Sequence, residues 1–198
     1  MEQAAVYELF LPTSNIIVDC TIFTDELCSP SARSMHSATL WGDYMVMYGG
    51  QAIDGSVKSD FYLFDTKGIK WYSYYVSSHP RAGHSVIHIP NTDVYYAIGG
   101  IESASKYSTT ILKMRFGWSY AQPTGQWIEE QTGYDYAPKR RTYHAMANAG
   151  DGIYIHGGNY KDTIYGDLWV YNTTNQEWRI ASSDRSLIYP VRYGHTMV

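Results

Sequence analysis

Apolar residues in this chain come in runs of four or five, each stopped by turn residues. Three runs end on a glycine pair: Met45-Val-Met-Tyr48 before Gly49-Gly50, Val94-Tyr-Tyr-Ala-Ile98 before Gly99-Gly100, and Ile153-Tyr-Ile-His156 before Gly157-Gly158. A further run follows in two places, Asp60-Phe-Tyr-Leu-Phe-Asp65 and Asp167-Leu-Trp-Val-Tyr-Asn172. A tryptophan then closes each unit, at Trp71, Trp127 and Trp178. Short runs rich in aromatic and β-branched residues, bounded by Gly, Asp and Asn, predict strands of antiparallel sheets. The glycine pairs supply positive φ and close backbone approach, and Asp65 and Asn172 are placed to accept hydrogen bonds from the turn that follows.

These units repeat. Arg-x-x-His followed by a small residue occurs four times, as Arg33-Ser-Met-His36, Arg81-Ala-Gly-His84, Arg141-Thr-Tyr-His144 and Arg192-Tyr-Gly-His195. The Arg-to-Arg steps are 48, 60 and 51 residues. Self-similarity at such a period marks one supersecondary unit copied and stacked.

Arg-x-x-His, Gly-Gly, an aromatic before Asp or Asn, and then Trp occur in order, and this series resembles the kelch repeat over about residues 33–198. The resemblance implies an all-β, kelch-type β-propeller, with one four-stranded blade per repeat around a channel. It places Gly-Gly at the end of the second strand and Trp on or near the fourth, packed between blades. The expected division is an N-terminal extension at 1–14, an outer strand of a closing blade at 15–32, and repeats at 33–80, 81–140 and 141–191. Residues 192–198 then begin a further repeat. Trp127 and Trp178 each stand 14 residues before the next repeat Arg, and the same count back from Arg33 reaches Asp19, inside Ile16-Ile-Val-Asp-Cys-Thr-Ile-Phe23. Three complete blades and parts of another predict an incomplete ring: a segment of a larger propeller, or one that another chain completes, because one repeat cannot bury its faces alone.

The second copy departs from the pattern. Its third run, Thr109-Thr-Ile-Leu-Lys-Met114, lacks the leading Asp and the closing Asp or Asn. The extra residues after it, with Phe116, Trp118 and Tyr120, read as a longer loop or a hairpin, and these aromatics as a second candidate patch or, equally, as packing across a blade edge.

Composition narrows the function classes. Tyr numbers 20 and Trp 6, which suits aromatic-rich strands, and the net charge is −4 with Lys139-Arg140-Arg141 as the basic triplet. Nucleic-acid binding needs a larger basic footprint. No apolar run approaches the ~18 residues of a membrane-spanning helix, so membrane insertion is not expected. Cys20 and Cys28 are too few for a disulfide scaffold, and a cytoplasmic setting is expected. A secreted adhesion or carbohydrate-binding module would instead use a Cys20–Cys28 bridge and the sequon at Asn172.

Four of the seven histidines (His36, His84, His144, His195) are repeat positions, and one structural task done four times explains them. His84 and His88 lie ~13 Å apart along a strand, too far for one ion with Zn–N bonds of ~2 Å. No nucleophile elbow or phosphate-binding loop is present. We therefore assign no catalytic, cofactor or metal residue. Kelch-like oxidases and mutarotases acting at the propeller axis are the enzymatic alternative, by fold analogy alone.

The expected function is a protein-interaction scaffold, or a subunit of a larger assembly, because loops on a rigid frame carry binding. The resemblance points to the loops after Gly-Gly (Gln51–Ser59, Ile101–Ser108, Asn159–Gly166) and before the repeat Arg (Ser77–Pro80, Gly133–Arg140, Ser182–Pro190). These carry Asp54, Lys58, Glu102, Lys106, Tyr107, Tyr134, Asp135, Tyr136, Arg140, Tyr160, Lys161, Asp162 and Tyr165. Tyrosines among mixed charges suit a protein interface.

Overall fold

The structure, a computed structural model, describes residues 17–19, 29–74, 79–119, 122–130, 136–181 and 190–198. Strand β1 (Ile17–Asp19) precedes the first repeat, which forms β2 (Ser37–Trp41), β3 (Tyr44–Tyr48), β4 (Phe61–Asp65) and β5 (Lys70–Tyr74). The second forms β6 (Ser85–His88), β7 (Val94–Ile98), the short pair β8 (Ile101–Ser103) and β9 (Lys106–Tyr107), then β10 (Ile111–Ser119) and β11 (Gln122–Glu130). The third forms β12 (Ala145–Ala149), β13 (Gly152–His156), the short pair β14 (Asn159–Tyr160) and β15 (Thr163–Ile164), then β16 (Leu168–Asn172) and β17 (Glu177–Ile180). Each repeat makes one antiparallel four-stranded blade: β2-β3-β4-β5, β6-β7-β10-β11 and β12-β13-β16-β17. The leading strands β2, β6 and β12 lie beside one another. This is a kelch-type β-propeller architecture. Among the described residues there is no helix, hence none long and apolar enough to cross a membrane.

One finding differs from the sequence-based expectation, and another decides between two readings it left open. The strand assigned to a closing blade pairs at Ile17–Asp19 with β5, adding a fifth strand to the first blade. The edge of β5 offers unpaired amides and carbonyls, and β1 satisfies them. The insertion in the second copy is a hairpin of two nine-residue strands, β10 and β11. Of the two readings of Phe116, a patch or packing at a blade edge, the structure gives the second. Phe116 is 2 % exposed, stacks on Trp41 at 4.9 Å and meets Tyr95 edge-on at 5.1 Å. Trp118 continues the same strand, and Tyr120 lies outside the described residues.

The core lies between blades. One cluster joins Tyr48, Phe61 and Leu63 of the first blade to Tyr95, Leu112, Met114 and Phe116 of the second. The other joins Val94, Tyr96, Ile98 and Ile111 of the second to Ile153, Ile155, Tyr171 and Trp178 of the third. Alternate residues of β7 thus face opposite neighbours, and all five are buried. A strand with a blade on each side needs no polar face, which is why Val94–Ile98 is continuously apolar. The expectation that the repeat Trp packs between blades holds for Trp178. Trp71 instead packs on its own blade, against Tyr62 at 6.2 Å and Phe64 at 5.0 Å. Trp127 falls in β11, opposite Met114.

The Arg-x-x-His segments lock blade to blade. The second glycine of each pair donates its N–H to the next repeat's Arg carbonyl: Gly50 to Arg81 (2.7 Å), Gly100 to Arg141 (2.9 Å) and Gly158 to Arg192 (2.8 Å). The first glycine lies under the next repeat's His. A Cβ on Gly99, whose φ is +69°, would sit 2.7 Å from both the Arg141 carbonyl oxygen and the His144 ring. The residue before each His (Met35, Gly83, Tyr143, Gly194) has positive φ. Its backbone joins a relay from blade to blade: Gly83 N–H to Met35 O (2.8 Å), Tyr143 N–H to Gly83 O (2.9 Å), Gly194 N–H to Tyr143 O (2.8 Å). The turn residues act as their types require. Asp65 accepts from the Lys67 and Gly68 amides, and Asn172 from those of Thr174 and Asn175.

Candidate functional site

Three of the four repeat arginines, Arg33, Arg81 and Arg141, are buried charges that hold the loops in place, whereas Arg192 is exposed. Arg33 donates to the Gly49 carbonyl at 3.1 Å and to both oxygens of Asp60 at 2.5 and 3.0 Å. Arg141 does the same with the Gly157 carbonyl at 2.8 Å and Asp167 at 2.6 and 2.8 Å. Both aspartates stand immediately before the third strand of their blade, so each bridge ties the start of strand three to the Arg-x-x-His segment. Burial pushes the Asp167 carboxyl up, but the Arg141 hydrogen bond and charge outweigh it and hold it below the usual range.

The second blade has Thr110 where the others have Asp, and two groups share the task. Arg81 donates to Thr110 Oγ1 at 2.5 Å and pairs with Glu102 at 3.0 Å. Glu102 comes from β8, in the hairpin after Gly-Gly, and also pairs with Lys106. Burial raises its carboxyl, yet the Lys106 hydrogen bond and the Arg81 charge bring it below the usual range. Glu102, nominated from sequence as a partner-binding residue, is thus engaged in an internal ion pair.

His84 and His144 are buried and uncharged. Desolvation first, and then the neighbouring repeat Arg, lower His84 and His144 to about 3. His84 Nε2 lies 2.9 Å from Ser37 Oγ of the preceding blade, while neither nitrogen of His144 has a protein partner. His156, which is not a repeat position, meets His195 at 3.0 Å. Among the described residues no group of three or more His, Cys, Asp or Glu is placed to hold a metal ion.

Two of the predicted loops are short hairpins, β8–β9 and β14–β15, and they meet: Tyr107 contacts Tyr160 edge-on, with ring centres 4.7 Å apart. Beside them lies an open recess of about 400 Å³. Thr109 of the second blade, Ala137, Pro138, Lys139 and Arg140 of the segment before Arg141, and Tyr160 and Tyr165 of the third blade line it. The Arg141 guanidinium sits 4.4 Å from the centre of the Tyr165 ring. Of the sequence nominees, Arg140, Tyr160 and Tyr165 line this recess, and Tyr107 buttresses it. The others do not join them. Asp54 is exposed and accepts from the Ser56 amide, in a loop of the first blade. Lys58 links its backbone to Gly50 and Arg81. Tyr136 packs edge-on against Trp169 at 5.2 Å. Lys161 reaches over Tyr160, and Lys106, Lys161 and Asp162 are exposed. Tyr134, Asp135, Cys20 and Cys28 lie outside the described residues. Lys139, Pro138 and Thr109 were not nominated. The signal for Lys139 was the basic triplet itself, of which Arg141 turns inward and the other two stay exposed.

The fold and repeat geometry agree with comparison to known proteins. Residues 19–198 match the KLHDC2/KLHL20/DRC7 Kelch-repeats domain, and the chain belongs to that family. It is 28% identical over 152 residues to the tRNA wybutosine-synthesizing protein 2/3/4 of Arabidopsis thaliana, covering 76% of this chain and 9% of that protein. It is 23% identical over 151 residues to Kelch domain-containing protein 2 of Bos taurus, covering 75% and 28%. With the Drosophila melanogaster host cell factor it shares 24% over 185 residues, covering 80% and 11%. The chain therefore spans less than a third of the length of each of these relatives.

Proposed function

We propose that this chain is a non-enzymatic protein-interaction module, a scaffold or a subunit of a larger assembly, that binds its partner through the propeller face carrying the post-Gly-Gly hairpins. The observation that carries this reading is the recess. Two segments from different repeats, far apart in sequence, converge on one concave surface with aromatic walls. Loops on a rigid frame are where binding resides in such folds, and tyrosine supplies large contact area with little conformational entropy to lose. The family is one of interaction repeats, which supports the same reading. Completion of the ring by further blades, from this polypeptide or another, belongs to the same proposal. So does a cytoplasmic setting, which rests on the sparse cysteine content.

The test is affinity capture from cell extract with quantitative mass spectrometry, comparing the chain with its Tyr107→Ala/Tyr160→Ala variant. Proteins enriched by the parent are expected to be lost from the variant while its thermal midpoint stays within a few degrees. An unchanged set of captured proteins would remove this face from consideration.

A further inference from the structure

The recess between the second and third blades carries a charge that the rest of the chain does not. The net charge of the chain is −4. Yet Lys139 and Arg140 stand side by side at the recess wall, exposed, and no carboxylate lines it among the described residues. Two of the nearby acids are committed elsewhere, and Asp162 is exposed in the β14–β15 turn. Asp167 is held by Arg141, and Glu102 by Arg81 and Lys106. No ion-pair partner is found for Lys139 or Arg140 among the described residues. Two unpaired cations thus flank an apolar and aromatic surface made by Ala137, Pro138, Tyr160 and Tyr165.

From this juxtaposition we infer that the recess takes an extended acidic segment of a partner protein, with its carboxylates on Lys139 and Arg140 and an apolar side chain against Tyr160 and Tyr165. The inference rests on the interaction reading above and adds the chemistry of the partner. The recess is at the small end of the range in which ligand pockets fall, about 300–1,000 Å³, so it holds a few side chains and not a folded surface. Arg140 offers a planar fork suited to a carboxylate, and Lys139 a point charge. The tyrosines add ring area and a hydroxyl for a hydrogen bond. A free inorganic anion would leave the aromatic wall unused. A nucleic-acid strand would meet two cations where a phosphate backbone needs a longer basic track.

The test is selection of a random peptide phage library on the immobilised chain of residues 1–198, followed by affinity measurement on the selected peptides. The comparison protein is Lys139→Glu/Arg140→Glu, whose substitutions are exposed and leave the thermal midpoint in place. The expected result is enrichment of Asp and Glu beside an apolar residue. Affinity should fall by about tenfold or more on charge reversal, as two rim ion pairs allow, and should weaken with added salt. Millimolar inorganic phosphate should not displace the peptides. Selected peptides without acidic enrichment, or acidic peptides that bind the charge-reversed variant equally well, would overturn the inference. So would displacement by phosphate, or binding of a labelled oligothymidylate in place of the peptides. If non-acidic peptides are selected and are lost on Tyr160→Ala, the interaction reading stands and only the acidic class falls. If no peptide is selected, both fall.

Discussion

The second blade and the third solve one problem with different residues. Both bury a repeat arginine almost completely, and each must give that charge a carboxylate. In the third blade Asp167 does so from the position just before strand three, so the bridge is internal to the sheet frame. In the second blade that position is Thr110, and the carboxylate comes from Glu102 in the face hairpin. A frame contact has become a contact between frame and face. The difference shows that the arginine, not its partner, is the fixed requirement. A buried guanidinium without a counter-charge is the costly state, and any nearby acid that reaches it serves. One consequence is that the β8–β9 hairpin, which holds Tyr107 against Tyr160, is tied to the core by the Glu102 ion pair, whereas β14–β15 has a neutral tie, Thr142 Oγ1 donating to Asn159 Oδ1 at 2.8 Å, and no ion pair among the described contacts.

The largest effect is expected from Arg141→Ala. It removes four hydrogen bonds and leaves Asp167 without its counter-charge, at about 3 kcal/mol, the low end for a broken buried pair because Asp167 is partly solvated. The denaturant midpoint would report this, and a loss below about 1 kcal/mol would show the bridge to be dispensable. Glu102→Gln should cost less, about 2 kcal/mol, since Thr110 still accepts from Arg81. Adding Thr110→Asp to that variant rebuilds the arrangement of the third blade. It should return about 1 kcal/mol, a coupling that a double-mutant cycle reads directly. Amide exchange at Lys106–Ser108 sharpens the contrast. Exchange should stay fast in the double variant, because the frame is repaired and the hairpin tie is not. Recovery of protection would show that Glu102 does not hold the hairpin.

Acid should weaken both seams. His84 and His144 have folded-state pKa values of about 3, against 6.5 unfolded. The unfolded chain therefore binds more protons in between, so their cost is absent above pH 6.5, grows as pH falls, and levels off near 3. Each contributes a slope of up to about 1.4 kcal/mol per pH unit. The depressed carboxylates act in the same direction, but only below the ordinary carboxylate range. Stability measured from pH 6.5 to 5 thus isolates the histidines, among which His156 and His195, also lowered by burial, add to the slope. His84→Gln/His144→Gln should flatten that slope, and an unchanged slope would mean that both titrate normally. The smallest effect separates the seams. Ser37→Ala should cost about 1 kcal/mol by removing the one side-chain partner of His84, and the seam at His144 has no such bond to lose.

Much of the frame was legible in the residues. The runs, the glycine pairs and the Arg-x-x-His blocks place the strands of all three blades, because each local signal agrees with the unit it belongs to. Where the repeat lapses, legibility lapses too. With no Asp at Thr110 and no closing turn after Met114, nothing in the sequence distinguishes a loop from the nine-residue hairpin that buries Phe116. The candidate site was half legible. Tyr160, Tyr165 and Arg140 could be nominated because they lie in loops of repeat units, but so could Asp54, Lys58 and Tyr136, which the structure places elsewhere.

By itself the sequence determined what is local and periodic: which residues form strands, where the chain turns, and which arginines, glycines and histidines recur. Those follow from backbone conformation and side-chain alternation within a few residues. The tertiary structure decided which blade receives Ile17–Asp19, which acid answers Arg81, and which loop residues share a recess. These depend on how neighbouring blades pack, and such contacts join residues far apart in the chain, where no spacing rule reaches.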